Sequence, residues 1–88
     1  MYLIVVYDVG EKRVNKIRIL LKTYLTAVQN SVFEGELTEK QVFEMKEKIK
    51  KIVDLKFDSV RVYKIKTKKF VKKEVLGVCK GDSEEFII

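Results

Sequence analysis

Asp8 is the residue whose type and position in this chain most invite chemistry. It closes the apolar opening run MYLIVVYDV, and α/β folds commonly hold functional groups at the ends of their strands. A structural role stays open beside this one, because an aspartate leaving a strand can cap the helix that follows. One carboxylate is a sparse ligand set. Mg²⁺, however, takes only one or two protein carboxylates and keeps waters and substrate phosphates for its other positions. A two-fold dimer presenting two copies of Asp8 near its axis would supply a carboxylate pair able to orient a water against a phosphodiester. The chain has no histidine and a single cysteine. Serine–histidine and cysteine–histidine nucleophiles are therefore excluded, and zinc is excluded on ligand number. One cysteine forms no internal disulfide, which points to a reducing compartment and a cytoplasmic location. Cys79 reads as a structural thiol.

Other side chains are candidates for support. Tyr7 precedes Asp8, and strand alternation turns its ring to the opposite face, toward the core. Arg13, Lys16 and Arg18 follow on a predicted helix as candidate phosphate contacts, or as an ordinary solvated face. Arg61 and Tyr63 share one face of a later strand, where an exposed base-stacking pair or plain sheet packing are the two readings. No glycine-rich phosphate loop is present.

The charge is unevenly placed. Residues 40–73 carry thirteen basic and four acidic side chains, whereas residues 1–39 are balanced and residues 74–88 are acidic. A basic middle fits a polyanionic partner, since lysines that neutralise phosphates release counterions.

The elements that must position these residues follow from periodicity. Eighty-eight residues make one domain. Residues 1–9 read as a central strand and not a signal peptide, and no apolar stretch is long enough to span a bilayer. Val14, Ile17, Leu20, Leu21 and Tyr24 form a helical stripe. Residues 27–37 return to strand character, with Gly35 marking a bulge or a close backbone approach. Thr38 and Gln41 have the spacing of a capping box ahead of a second helix, whose stripe is Val42, Met45, Ile49 and Ile52. Glu44 and Lys48 are spaced for an ion pair along that helix. Residues 58–66 alternate, and a weaker strand is expected around Glu74, Val75 and Leu76. The apolar end Phe86-Ile87-Ile88 calls for docking, on its own sheet or on a neighbouring subunit. Two helices on one face of a four-stranded antiparallel sheet, a ferredoxin-like α+β sandwich of βαββαβ type, bury both stripes with short connections.

MYLIVVYDV with Asp8 at its end, the basic helix after it, and VQNSVFEGEL at residues 28–37 together resemble the CRISPR-associated protein 2 family. The resemblance extends over most of the chain, and its distinctive motifs lie in the first 37 residues. It implies a ferredoxin-like domain over residues 1–88 and a homodimer in which about residues 80–88 add to the partner's sheet. It implies a part in acquiring CRISPR spacers beside an integrase subunit. It also implies a magnesium-dependent endonuclease activity on single-stranded RNA or duplex DNA, with Mn²⁺ able to replace Mg²⁺. On that resemblance Asp8 matches the metal-binding aspartate, Tyr7 the tyrosine before it, Phe33 the aromatic of an SVF motif, and Arg13 a helix arginine. The pattern departs at Ala27 and Glu11, where many members carry basic residues. Two other functions stay open: a non-catalytic DNA-binding scaffold of the same family, and a toxin-type ferredoxin-like ribonuclease.

Overall fold

The computed structural model describes residues 1–78. Cys79 and the segment 80–88, with its expected docking on a partner, lie outside them. Strand β1 (Tyr2–Asp8) leads to helix α1 (Glu11–Lys22), strands β2 (Thr26–Gln29) and β3 (Val32–Glu36), helix α2 (Glu39–Ile52), strand β4 (Ser59–Ile65) and a 3₁₀ turn at Lys68–Phe70. The strands form one sheet in the order β2-β3-β1-β4, and every adjacent pair is antiparallel. This is the expected βαββαβ sandwich.

Alternation assigns the two faces. Leu3, Val5 and Tyr7 of β1 and Phe33 of β3 point to the helices, where Ile17 and Leu21 of α1 and Val42, Met45 and Ile49 of α2 complete the core. Leu3, Val5, Ile17, Leu21, Phe33 and Met45 are fully buried. Each such side chain contributes roughly 1.5–3 kcal/mol on leaving water, so this layer fixes the register of β1. The capping box forms as expected: the Gln41 amide N–H donates to Thr38 Oγ1 (3.2 Å), and the Thr38 amide N–H donates to Gln41 Oε1 (2.9 Å).

Three local expectations are corrected. Residues 27–37 are not one strand but a hairpin, broken at Asn30 and Ser31 with a register shift between Ala27 and Gln29. The break is a tertiary product, since the Asn30 carbonyl accepts from the Tyr7 hydroxyl (2.7 Å) and from Arg18 Nη1 (3.0 Å). The bulge therefore lies in β2 and not at Gly35, which instead marks the close approach: a Cβ there would sit 3.1 Å from Leu25 Cδ2. The second correction concerns Glu74, Val75 and Leu76, which form no strand. Lys73 is tied to Glu34 (2.7 Å) on the face of the sheet away from the helices, and Gly77, an isolated bridge residue, takes a φ of +98°, a conformation that a regular strand does not use. Third, the Lys48 ammonium donates to the Tyr24 hydroxyl of the α1–β2 connection (2.9 Å), and no ion pair to Glu44 forms among the described residues.

Candidate active site at the end of the first strand

The end of β1 has a sealed side and an open side. On the sealed side, the Asp58 side chain, only 1% exposed, accepts from Arg13 Nε (2.5 Å) and Nη2 (2.9 Å). It also accepts from the backbone N–H groups of Gly10 (2.9 Å) and Asp54 (2.8 Å). One carboxylate thus joins the β1–α1 loop, the first turn of α1 and the approach to β4. The Arg13 guanidinium, helped by the two amides, holds the Asp58 carboxyl well below its ordinary range against the opposing effect of burial. A Cβ at Gly10 would lie 2.5 Å from Arg13 Nη2, so a side chain there would displace the guanidinium from its place beside Asp58. Gly10 is also the N-cap of α1, with no side-chain cap. Asp8 does not cap this helix.

On the open side, Asp8 is exposed and stands opposite Ser59 in the β1–β4 ladder. Among the described residues its carboxylate makes no hydrogen bond or ion pair. Val6, Asp8, Ser59, Arg61 and Tyr63 line a shallow depression of about 340 Å³. Val6 pairs with Arg61 in the ladder and Ile4 with Tyr63, so both β4 side chains share the Asp8 face. Tyr63 is 50% exposed, and the sheet-packing reading of this pair gives way to a surface one.

The other candidates separate from Asp8. Tyr7 and Phe33 are core residues on the helix side, with ring centroids 6.1 Å apart. Arg18 lies over the Phe33 ring at 5.7 Å while bonding Asn30. Arg13 and Arg18 are therefore committed to partners within the chain, and of the three basic α1 candidates only Lys16 is a plain exposed cation. Ser59 and the clamp role of Asp58 escaped the sequence. No local spacing announces a contact 45 residues apart.

A single chain offers no cage for a metal: among the described residues no three histidine, cysteine, aspartate or glutamate side chains converge. An unpaired carboxylate with a hydroxyl opposite it suits a hard cation that retains its waters.

The comparisons with known proteins decide the family. The profile described as CRISPR associated protein Cas2 matches residues 1–73. This chain belongs to the Cas2 family. A Pyrococcus furiosus protein named CRISPR-associated endoribonuclease Cas2 is 48% identical over 99% of this chain and all of its own length. A protein of the same name from Thermotoga maritima is 48% identical over 93% of this chain and 94% of its own. Among solved structures, one titled as a crystal structure of Cas2 has a TM-score of 0.84 at 49% identity, covering 100% of this chain and 98% of that one. Streptococcus pyogenes Cas2 has a TM-score of 0.77 at 34% identity, covering 88% of this chain and all of that one. The Cas2 fold is thus shared across the sandwich that carries Asp8. No helix among the described residues is long and apolar enough to cross a membrane.

Proposed function

We propose that this Cas2 family member works as a homodimer in CRISPR adaptation, beside an integrase subunit in the cytoplasm, and cleaves phosphodiester bonds of RNA or DNA in a magnesium-dependent reaction centred on Asp8. The observation that carries the reading is the contrast in partners: Asp58 is saturated, whereas Asp8 is exposed and has no partner among the described residues, on the face of the sheet away from the helices. The name printed for the Pyrococcus furiosus and Thermotoga maritima relatives, CRISPR-associated endoribonuclease Cas2, agrees with an acidic site facing a strand of nucleic acid. The dimer is supported by the same face. Ile4, Val6 and Ile65 are half-buried there, Tyr63 is half-exposed, and β4 is an edge strand.

Within this reading Asp8 and its two-fold copy hold the cation, and Ser59 lines the depression beside it. Arg61 steadies a phosphate and Tyr63 offers a ring on which a base can stack. The bound Mg²⁺ supplies Lewis acidity and lowers the pKa of a water. Asp8→Asn keeps size and removes charge at an exposed position. RNA cleavage with added Mg²⁺ is expected to fall at least about 100-fold, with the melting temperature and the dimer unchanged. Undiminished cleavage by that variant contradicts the reading.

A second reading, a DNA-binding scaffold without catalysis, is favoured by a specific observation. Arg13 and Arg18 are engaged within the chain, so phosphate gripping rests on the lysines of residues 40–73. Absence of cleavage in the parent protein, with nucleic-acid affinity falling steeply with salt, selects it.

A further inference from the structure

Strand β1 outruns one of its neighbours before it reaches Asp8. Among the described residues the β1–β3 ladder ends at Val6 and Val32, followed by one bond from the Tyr7 N–H to the Ser31 carbonyl (3.1 Å). The β1–β4 ladder runs on to Asp8 and Ser59. At Asp8 the backbone therefore has a strand beside it on one side only, and Gly10 follows two residues later. Strand ends held this sparsely are the parts of a sheet that open most easily.

The missing restraint comes from the helix side. Alternation along β4 turns Ser59 and Arg61 to the Asp8 depression and Val60 and Val62 to the core. Asp58, one residue before the strand, continues the inward set. Its side chain is 1% exposed and accepts from the Gly10 N–H (2.9 Å) and Arg13 Nη2 (2.9 Å) on one side and from the Asp54 N–H (2.8 Å) on the other. A tight turn sets Asp58 itself. The Asp54 carbonyl accepts from the N–H groups of Phe57 (3.0 Å) and Asp58 (2.8 Å), and Asp54 Oδ1 accepts from the Lys56 N–H (2.9 Å). The clamp thus grips the chain two residues after Asp8 and one residue before Ser59, the pair that faces the depression.

A metal-binding carboxylate works only within a fraction of an ångström of its proper place, so whatever fixes the strand end also fixes the site. We propose that Asp58 is a positioning residue for the reaction at Asp8: with the Arg13 fork it locks the end of β1, so that Asp8 and Ser59 face the depression together. Arg13 then serves the site through Asp58 and not by touching a phosphate. The role rests on the nuclease reading of Asp8.

The test compares the full chain with Asp58→Asn, Arg13→Lys, their double variant and Asp8→Asn, all below their melting temperatures. Asp58→Asn keeps size and loses the charge; Arg13→Lys keeps the charge and loses the two-nitrogen fork. In RNA cleavage with added Mg²⁺, each is expected to lower kcat roughly 10–100-fold with KM within about 2-fold of the parent. The double variant is expected to fall no further than the weaker single variant, since both break one clamp. Thr38→Ala weakens the fold at the opposite end of β1, where the Leu37 N–H donates to the Met1 carbonyl, and is expected to keep the parent kcat. Mn²⁺ affinity, read by electron paramagnetic resonance without turnover, is expected to weaken about 10–100-fold in both single clamp variants. Parent kcat and parent Mn²⁺ affinity in Asp58→Asn overturn the role. A raised KM with kcat retained in Arg13→Lys overturns it too, and returns Arg13 to phosphate binding. Cleavage lost in Asp8→Asn but kept in Asp58→Asn overturns the positioning role alone, whereas cleavage kept in Asp8→Asn overturns the nuclease reading and the role together. For a parent that does not cleave, Mn²⁺ affinity decides: weakened binding in Asp58→Asn supports the role, and unchanged binding overturns it.

Discussion

The two faces of the sheet follow opposite rules. On the helix side every polar group near the end of β1 is matched: Tyr7 and Arg18 close on Asn30, and Asp58 collects Arg13 and two backbone amides. On the other side, Asp8 and its neighbours Ser59, Arg61 and Tyr63 are exposed. An unmatched buried group costs free energy, so the sealed side reports stability. An unmatched exposed group costs little and remains available to a ligand. The lesson is that the same residue type, just before one strand or at the end of another, is locked into the structure or left available to a ligand according to which side it faces.

The contrast can be strained from either side. The largest effect on stability is expected at Phe33, fully buried between Tyr7 and Arg18. Phe33→Ala should cost about 3–5 kcal/mol in urea unfolding, and a loss below 1 kcal/mol would mean that this layer is not the organising core. Next comes Asp58. Its carboxyl is held below the ordinary carboxylate range in the folded state, so the unfolded chain takes up the proton first. The stability it contributes is complete above about pH 4 and is lost as the pH falls further. Asp58→Asn should lower the melting temperature at pH 7 and flatten its decline between pH 4 and 2.5. An unchanged acid slope would assign acid sensitivity to other carboxylates. Thr38→Ala removes one half of the capping box at the start of α2, and should cost about 1 kcal/mol. Smallest in stability is Tyr63→Ala on the open face, expected within about 0.5 kcal/mol for the isolated chain. It should nevertheless weaken nucleic-acid binding measurably. A large stability loss there would move Tyr63 to the structural side of the comparison.

Much of this arrangement is legible in the sequence, for physical reasons. β1, both helices and β4 declare themselves because periodicity follows burial, and the Thr38–Gln41 box is a purely local signal. Asp8 is equally plain, as a charge ending an apolar run. The hairpin is not, because Asn30 and Ser31 become a turn only when Tyr7 and Arg18 reach their backbone from other elements. Residues 74–76 mislead in the opposite sense: Val75 and Leu76 suit a strand, but the Lys73–Glu34 tie and the positive φ of Gly77 flank a segment that forms none. Arg13 also reads wrongly from spacing alone. A basic residue on a solvated helix face invites a phosphate, yet Asp58 arrives from beyond α2 and takes it. Long-range pairing decides which charges are free, and pairing is what a linear pattern does not carry.

The availability of Asp8 is tested most directly by counting Mn²⁺ bound to the purified protein by electron paramagnetic resonance at known protomer concentration. The account predicts one ion for every two chains, released on Asp8→Asn with the dimer intact. Binding that persists in that variant, or a stoichiometry of one ion per chain, would contradict a shared seat built from two copies of this carboxylate.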